Sequence, residues 1–124
     1  MERVDYLTLE DLLEIGQGLI PDFQVRDIGL LESAAQRPQM SLYGADAYLE
    51  FPEKVAALMH SLARNHSLID GNKRLAWSAG RIFCILNNKD LLLNPDDAEQ
   101  LILKIARGEI DVPVISSQIA AHIK

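Results

Sequence analysis

Cysteine is nearly missing from this chain. The single Cys84 excludes an intrachain disulfide and any cysteine-built metal cluster. Its apolar setting, RIFCILN, reads as a buried core thiol. No apolar run approaches the roughly eighteen residues that a membrane-crossing helix needs. The opening MERVDYLTLEDL is acidic where a signal peptide would be basic and then apolar, so a cytoplasmic location is expected. Pro/Ser/Gly tracts and like-charge runs are also lacking, which argues against linkers and disordered tails. Net charge is −6 and the cations are scattered, adjacent only at Lys73-Arg74. A generic nucleic-acid binder needs a basic stripe to displace counterions, so that class is disfavoured.

What is present fits an ordinary globular protein. With 124 residues, 48% of them apolar and 24% charged, the chain is long enough for one real core and too short for two, so residues 1–124 read as a single domain. Thr8 and Asp11 resemble a capping box opening a helix over about 8 to 19, which Pro21 stops. A second helix follows Asp27 and ends before Pro38. Residues 38–51, with Gly44 and two tyrosines, read as a loop or short hairpin. Pro52 suits the first turn of a helix reaching about Asn65. After Gly71, NKRLAWSAGRIFCILNN reads as a helix apolar on most sides, with Leu75, Ala76, Ala79, Ile82, Phe83 and Leu86, and so as the centre of the domain. Asn94-Pro95-Asp96-Asp97 caps a fifth helix that ends at Gly108, and a sixth runs from about Pro113 to Ile123. The expected fold is all-α, a compact six-helix bundle around a central helix at 72–87, with a short flap hairpin or loop.

One stretch, HSLIDGNKR at residues 66–74, does not serve a core. The first backbone N–H groups of a helix lack intrahelical partners and carry the positive end of its dipole, so a helix opening at Asn72 can bind an anion. Gly71 permits close approach or a positive φ, and Lys73 and Arg74 add a point charge and a planar fork of donors. Asp70 beside a polyphosphate could hold Mg²⁺. His66 could take a proton from an attacking hydroxyl. Each residue also has a plainer reading: a solvated pair for Lys73-Arg74, a cap for Asp70, a turn at Gly71-Asn72, a structural His66. A polyphosphate ligand accounts for five residues at once, where each plainer reading accounts for one. A Walker loop, a zinc pair from His60 and His66, and a nucleophile elbow all fail on spacing.

HSLIDGNKRLA resembles the signature of the Fic/Doc superfamily, and of its Doc branch through His66, Asp70, Asn72, Lys73, Arg74 and Ala76. Residues 27–39, DIGLLESAAQRPQ, resemble the early helix of that branch, and ARGEIDV matches near the end. The resemblance implies a Fic/Doc-like fold and a protein kinase that transfers the γ-phosphate of ATP with Mg²⁺. His66 would be the general base, Asp70 the metal ligand, and Gly71, Asn72, Lys73 and Arg74 the phosphate cradle; His66, Asp70, Lys73 and Arg74 would make up the catalytic set. The implied target is a Ser or Thr of elongation factor Tu, the implied role a growth-arrest toxin, and the implied partner a Phd-type antitoxin, with the free chain a monomer. Segment 41–51 would be the flap that grips an extended target peptide.

Four positions depart from or straddle the branch. Leu68 stands where Phe is usual, keeping an apolar anchor with less volume. Leu75 stands where Thr is common. Trp77 occupies the place of a further Arg found in AMP-transferring relatives, whereas Gly71 is what those relatives carry. The resemblance thus leaves two other readings beside the kinase: an AMP-transferring enzyme, and a degenerate binding module of the same fold. A self-inhibiting Ser/Thr…Glu motif is absent from the sequence, so inhibition would come from another chain.

Overall fold

A computed structural model describes residues 3–124. Its six helices are α1 (Leu9–Leu19), α2 (Ile28–Gln36), α3 (Phe51–Arg64), α4 (Asn72–Leu86), α5 (Pro95–Ala106) and α6 (Val112–His122). Local chemistry sets most of their ends. Thr8 and Asp11 form the reciprocal capping box of α1, Asp27 accepts from the Leu30 N–H to start α2, and Asn94 accepts from the Asp97 N–H to start α5. Pro38 ends α2 less abruptly than expected: the chain tightens into a 3-10 turn, Arg37–Gln39, before leaving helical space.

The segment before α3 is a hairpin of two-residue strands, β1 (Ser41–Leu42) and β2 (Ala45–Asp46), in antiparallel register Ser41↔Asp46 and Leu42↔Ala45. Tyr43 and Gly44 turn it with φ of 52° and 80°, the two left-handed residues that a tight hairpin twist requires. Its base is fastened by Lys54 of α3, whose ammonium donates to the Tyr48 carbonyl at 2.6 Å and to Asp46 at 3.2 Å.

The central helix is α3, not the helix at 72–87. It packs against α2, the 3-10 turn, α4, α5 and α6, and buries a face running from Lys54 and Val55 to Leu62 and Ala63. Helix α4 contributes Leu75, Ala76, Ala79 and Phe83 to the core, but Ile82, Ile85 and Leu86 remain exposed on its other side. Hydrophobic count alone mispredicts the centre because Lys54 looks polar in the sequence; sealed by an acid and a carbonyl, it is only 2% exposed. Gly80 lets α4 lie close to α3, since a Cβ there would meet the Met59 side chain at 2.7 Å. Cys84 is fully buried, and desolvation, helped by the nearby Asp90 charge, pushes its thiol up to about 12.

Candidate functional site

The stretch 65–71 joins the two most closely packed helices, α3 and α4. Asn65 caps the end of α3 and His66 follows it in the left-handed conformation, φ 47°. Glycine commonly fills that place after a helix. A side chain that tolerates it is held there by surrounding bonds: the His66 carbonyl accepts from Arg26 Nε at 2.7 Å, and the Ser67 carbonyl accepts from the Arg26 and Asp27 N–H groups at 2.8 and 3.0 Å. A bridge between Val25 and Leu68, with the Ile69 N–H donating to the Gln24 carbonyl, completes a short antiparallel join. The sequence carried no sign of it, because its two halves are about forty residues apart and meet through backbone atoms.

Leu68 points into the core, 1% exposed, so leucine does serve as the anchor of the loop. Asn72 closes the loop from the other side. Its Oδ1 accepts from the Leu68 N–H at 3.0 Å and its Nδ2 donates to the Leu68 carbonyl at 3.1 Å. The amide therefore shapes the loop. Gly71 is required twice: its φ is 92°, and a Cβ would meet Ile20 at 2.5 Å. Leu75, fully buried, belongs to the core rather than to the site.

His66, Asp70, Lys73 and Arg74 are all exposed: His66 and Asp70 lie in the loop that leads into α4, and Lys73 and Arg74 in its first turn. Asp70 pairs with Arg74 at 3.5 Å, one helical turn on. Among the described residues Lys73 has no such acid partner. Among the described residues no side chain caps the N-terminus of α4, which leaves its first amides without a side-chain acceptor. Uncapped amides together with Lys73 and Arg74 suit an anion of several charges, and His66 stands in the loop just before them. Among the described residues no three His, Cys, Asp or Glu side chains gather to hold a metal by themselves. Mg²⁺ commonly takes one or two carboxylates and completes its shell with phosphate oxygens and water, and the exposed Asp70 carboxylate fits that donor set.

Two hollows meet this end of the molecule. One, of about 710 Å³, is lined by Ser33, Arg37, Gln39, Met40, Ser61 and Asn65, between α2, the base of the hairpin and the residue before His66. The other, of about 480 Å³, runs between α4 and α5 and has Lys73 and Arg74 in its wall. Arg37 orders the first: it donates to the Tyr48 hydroxyl at 2.9 Å, to Ser61 Oγ at 3.0 Å and to His60 Nδ1 at 2.8 Å. His60 Nε2 faces Asp111 at 3.3 Å, so the ring links the hairpin side to the start of α6. Burial and then the Arg37 charge lower its pKa, outweighing Asp111.

Residues 6–84 match the model of the Fic/DOC family. The chain is 43% identical over 119 residues to a protein named Toxin Doc from Mycolicibacterium smegmatis (strain ATCC 700084 / mc(2)155), covering 94% of this chain and 92% of that one. The matched span contains the whole of the loop 65–71 and most of α4.

Proposed function

The chain belongs to the Fic/DOC family, and we propose that it is the toxin of a toxin–antitoxin pair, a protein kinase that moves the γ-phosphate of ATP to a Ser or Thr of a translation factor, elongation factor Tu in the first place. The observation that carries the reading is an exposed His66 in the loop that leads into an uncapped helix end bearing Lys73 and Arg74. His66 takes the proton of the attacking hydroxyl. The hydroxyl oxygen bonds to the γ-phosphorus, the bond from that phosphorus to the bridging oxygen breaks, and ADP leaves. The α4 amides, Lys73 and Arg74 hold the phosphate oxygens as charge shifts among them, which is most of what this transfer asks of a protein. Mg²⁺, held by Asp70 and the nucleotide, would neutralise phosphate charge.

The hairpin offers exposed backbone edges at Ser41–Leu42 and Ala45–Asp46, and an extended target segment can add to such an edge over the hollow at Arg37. Control would come from a Phd-type antitoxin. The AMP-transferring alternative drew its support from Gly71, and that glycine is accounted for by its left-handed backbone and by Ile20.

The test is label transfer. Purified protein with elongation factor Tu should pass label from γ-labelled ATP and not from α-labelled ATP. His66→Ala should lower the rate by at least about a hundredfold, the usual worth of a general base, without shifting the melting temperature downward. Transfer of α-label would replace this reading with AMP transfer. Growth arrest that survives His66→Ala would replace it with a binding module.

A further inference from the structure

Arg37 is an anchored cation whose charge the phosphate chemistry leaves unused. Its Nε donates to the Tyr48 hydroxyl, and its Nη1 faces three neutral acceptors: His60 Nδ1 at 2.8 Å, Ser61 Oγ at 3.0 Å and the Ala57 carbonyl at 3.4 Å. These bonds, with the Tyr48 ring 5.6 Å from Cζ, fix the plane of the guanidinium. None of them brings an opposite charge. Among the described residues Arg37 pairs with no acid, and its Nη2 makes no hydrogen bond. The hollow of about 710 Å³ that Arg37 lines is otherwise walled by hydroxyls, amides and one thioether, from Ser33, Gln36, Gln39, Met40, Ser61 and Asn65. No carboxylate stands in that wall, although the chain carries 18 acids and a net charge of −6. Two carboxylates behind it are taken up elsewhere, Glu32 by the Gln36 amide at 3.4 Å and Asp111 by His60 Nε2 at 3.3 Å.

We propose, resting on the transfer reading above, that this hollow receives the carboxylate of an Asp or Glu side chain in the target segment, an even number of residues from the hydroxyl that His66 addresses. Position says whose carboxylate it is. Met40 leads directly into β1 and Asn65 directly precedes His66, so the wall belongs at one point to the hairpin and at another to the loop of the base. A segment that adds to the hairpin edge and offers its hydroxyl to His66 crosses the hollow. Alternate side chains of an extended segment face the same way, so backbone bonds to the edge supply affinity and a pocket beneath it selects a side chain. A carboxylate supplies the counter-charge that Arg37 lacks, accepting from Nη2 and from the hydroxyl and amide donors around it. The guanidinium is already held in place, so little ordering is lost on binding. One fixed cation among neutral groups matches a single negative charge; a phosphate of two charges is better matched by Lys73, Arg74 and the α4 amides.

A positional scan tests the selection. Peptides with one Ser or Thr and each flanking position varied in turn should accept γ-label about tenfold faster, as kcat/KM, with Asp or Glu at one even position than with Asn or Gln there, the worth of one charge-assisted hydrogen bond. Gln39 is an exposed part of the wall. Gln39→Glu sets a rival carboxylate beside Arg37 and should erase the preference, acting on the KM for peptide rather than on kcat, and Gln39→Lys should strengthen it. A flat scan, or a preference that survives Gln39→Glu, would overturn the subsite, while label transfer would still uphold the kinase. Binding has a readout that needs neither turnover nor a variant. In isotope-labelled intact protein the blocked tripeptide Ala-Glu-Ala should move the Arg37 Nε–H resonance, and neither Ala-Gln-Ala nor inorganic phosphate should do so at the same concentration. Equal movement with the glutamine peptide, or larger movement with phosphate, would overturn the carboxylate assignment. A glutamate-specific movement in a chain that transfers no γ-label would overturn the kinase reading alone.

Discussion

His66 occupies a backbone conformation that a side chain normally costs stability to adopt. A residue so placed marks a site where position matters more than local energy. His66→Gly should therefore abolish transfer and raise the unfolding free energy by up to about 1 kcal/mol, visible as a later urea midpoint. A midpoint that falls instead would mean that the imidazole packs usefully. Legibility at this scale was uneven. The residue types and their order single out His66, Asp70, Lys73 and Arg74 as candidates, because their chemistry is in the side chains. They did not disclose Arg26, which holds the His66 carbonyl, nor the use of the Asn72 amide on Leu68. Both act on backbone groups, and any polar residue could have been written there.

Helix ends were read well wherever a cap or proline wrote them, as at Thr8, Asp27 and Asn94. Centrality was read badly, since burial of α3 depends on a lysine neutralised from outside the helix and α4 leaves three large aliphatic side chains in water. The junction of α1 and α4 shows how one element positions another: Ile20, the residue that ends α1, fills the space over Gly71. Gly71→Ala should cost about 1–2 kcal/mol by denaturation, from the left-handed backbone together with the contact. Adding Ile20→Val should recover the smaller, steric part and not the rest. Full recovery in the double variant would show that the backbone angle is without consequence.

Across the whole molecule, the hairpin, α3 and α6 are joined through His60, and that link titrates. The ring accepts from Arg37 at Nδ1, so it is the neutral tautomer with its proton on Nε2, toward Asp111; Arg64 also lies near enough to oppose a positive ring. The folded pKa lies below the ordinary 6.5, hence the unfolded chain binds the proton more readily. Stability contributed by the link is present above that value and is lost as pH falls through it toward the lower folded pKa. Urea midpoints should drop between about pH 7.5 and pH 5.5 in the native chain, and His60→Gln should flatten the drop. An equal drop in the variant would assign it to other groups. Asp90, lowered chiefly by its hydrogen bonds from Arg81, titrates in a more acidic window and does not confuse this one.

The sealed sulfur of Cys84 has a practical consequence. A thiol that is wholly buried and protonated at every physiological pH does not react with maleimides in the native state. The chain is in effect a cysteine-free background, and Tyr43→Cys at the fully exposed hairpin tip would accept a single dye or spin label. Motion of the hairpin can then be followed by one reporter, with no need to strip the native sulfur away.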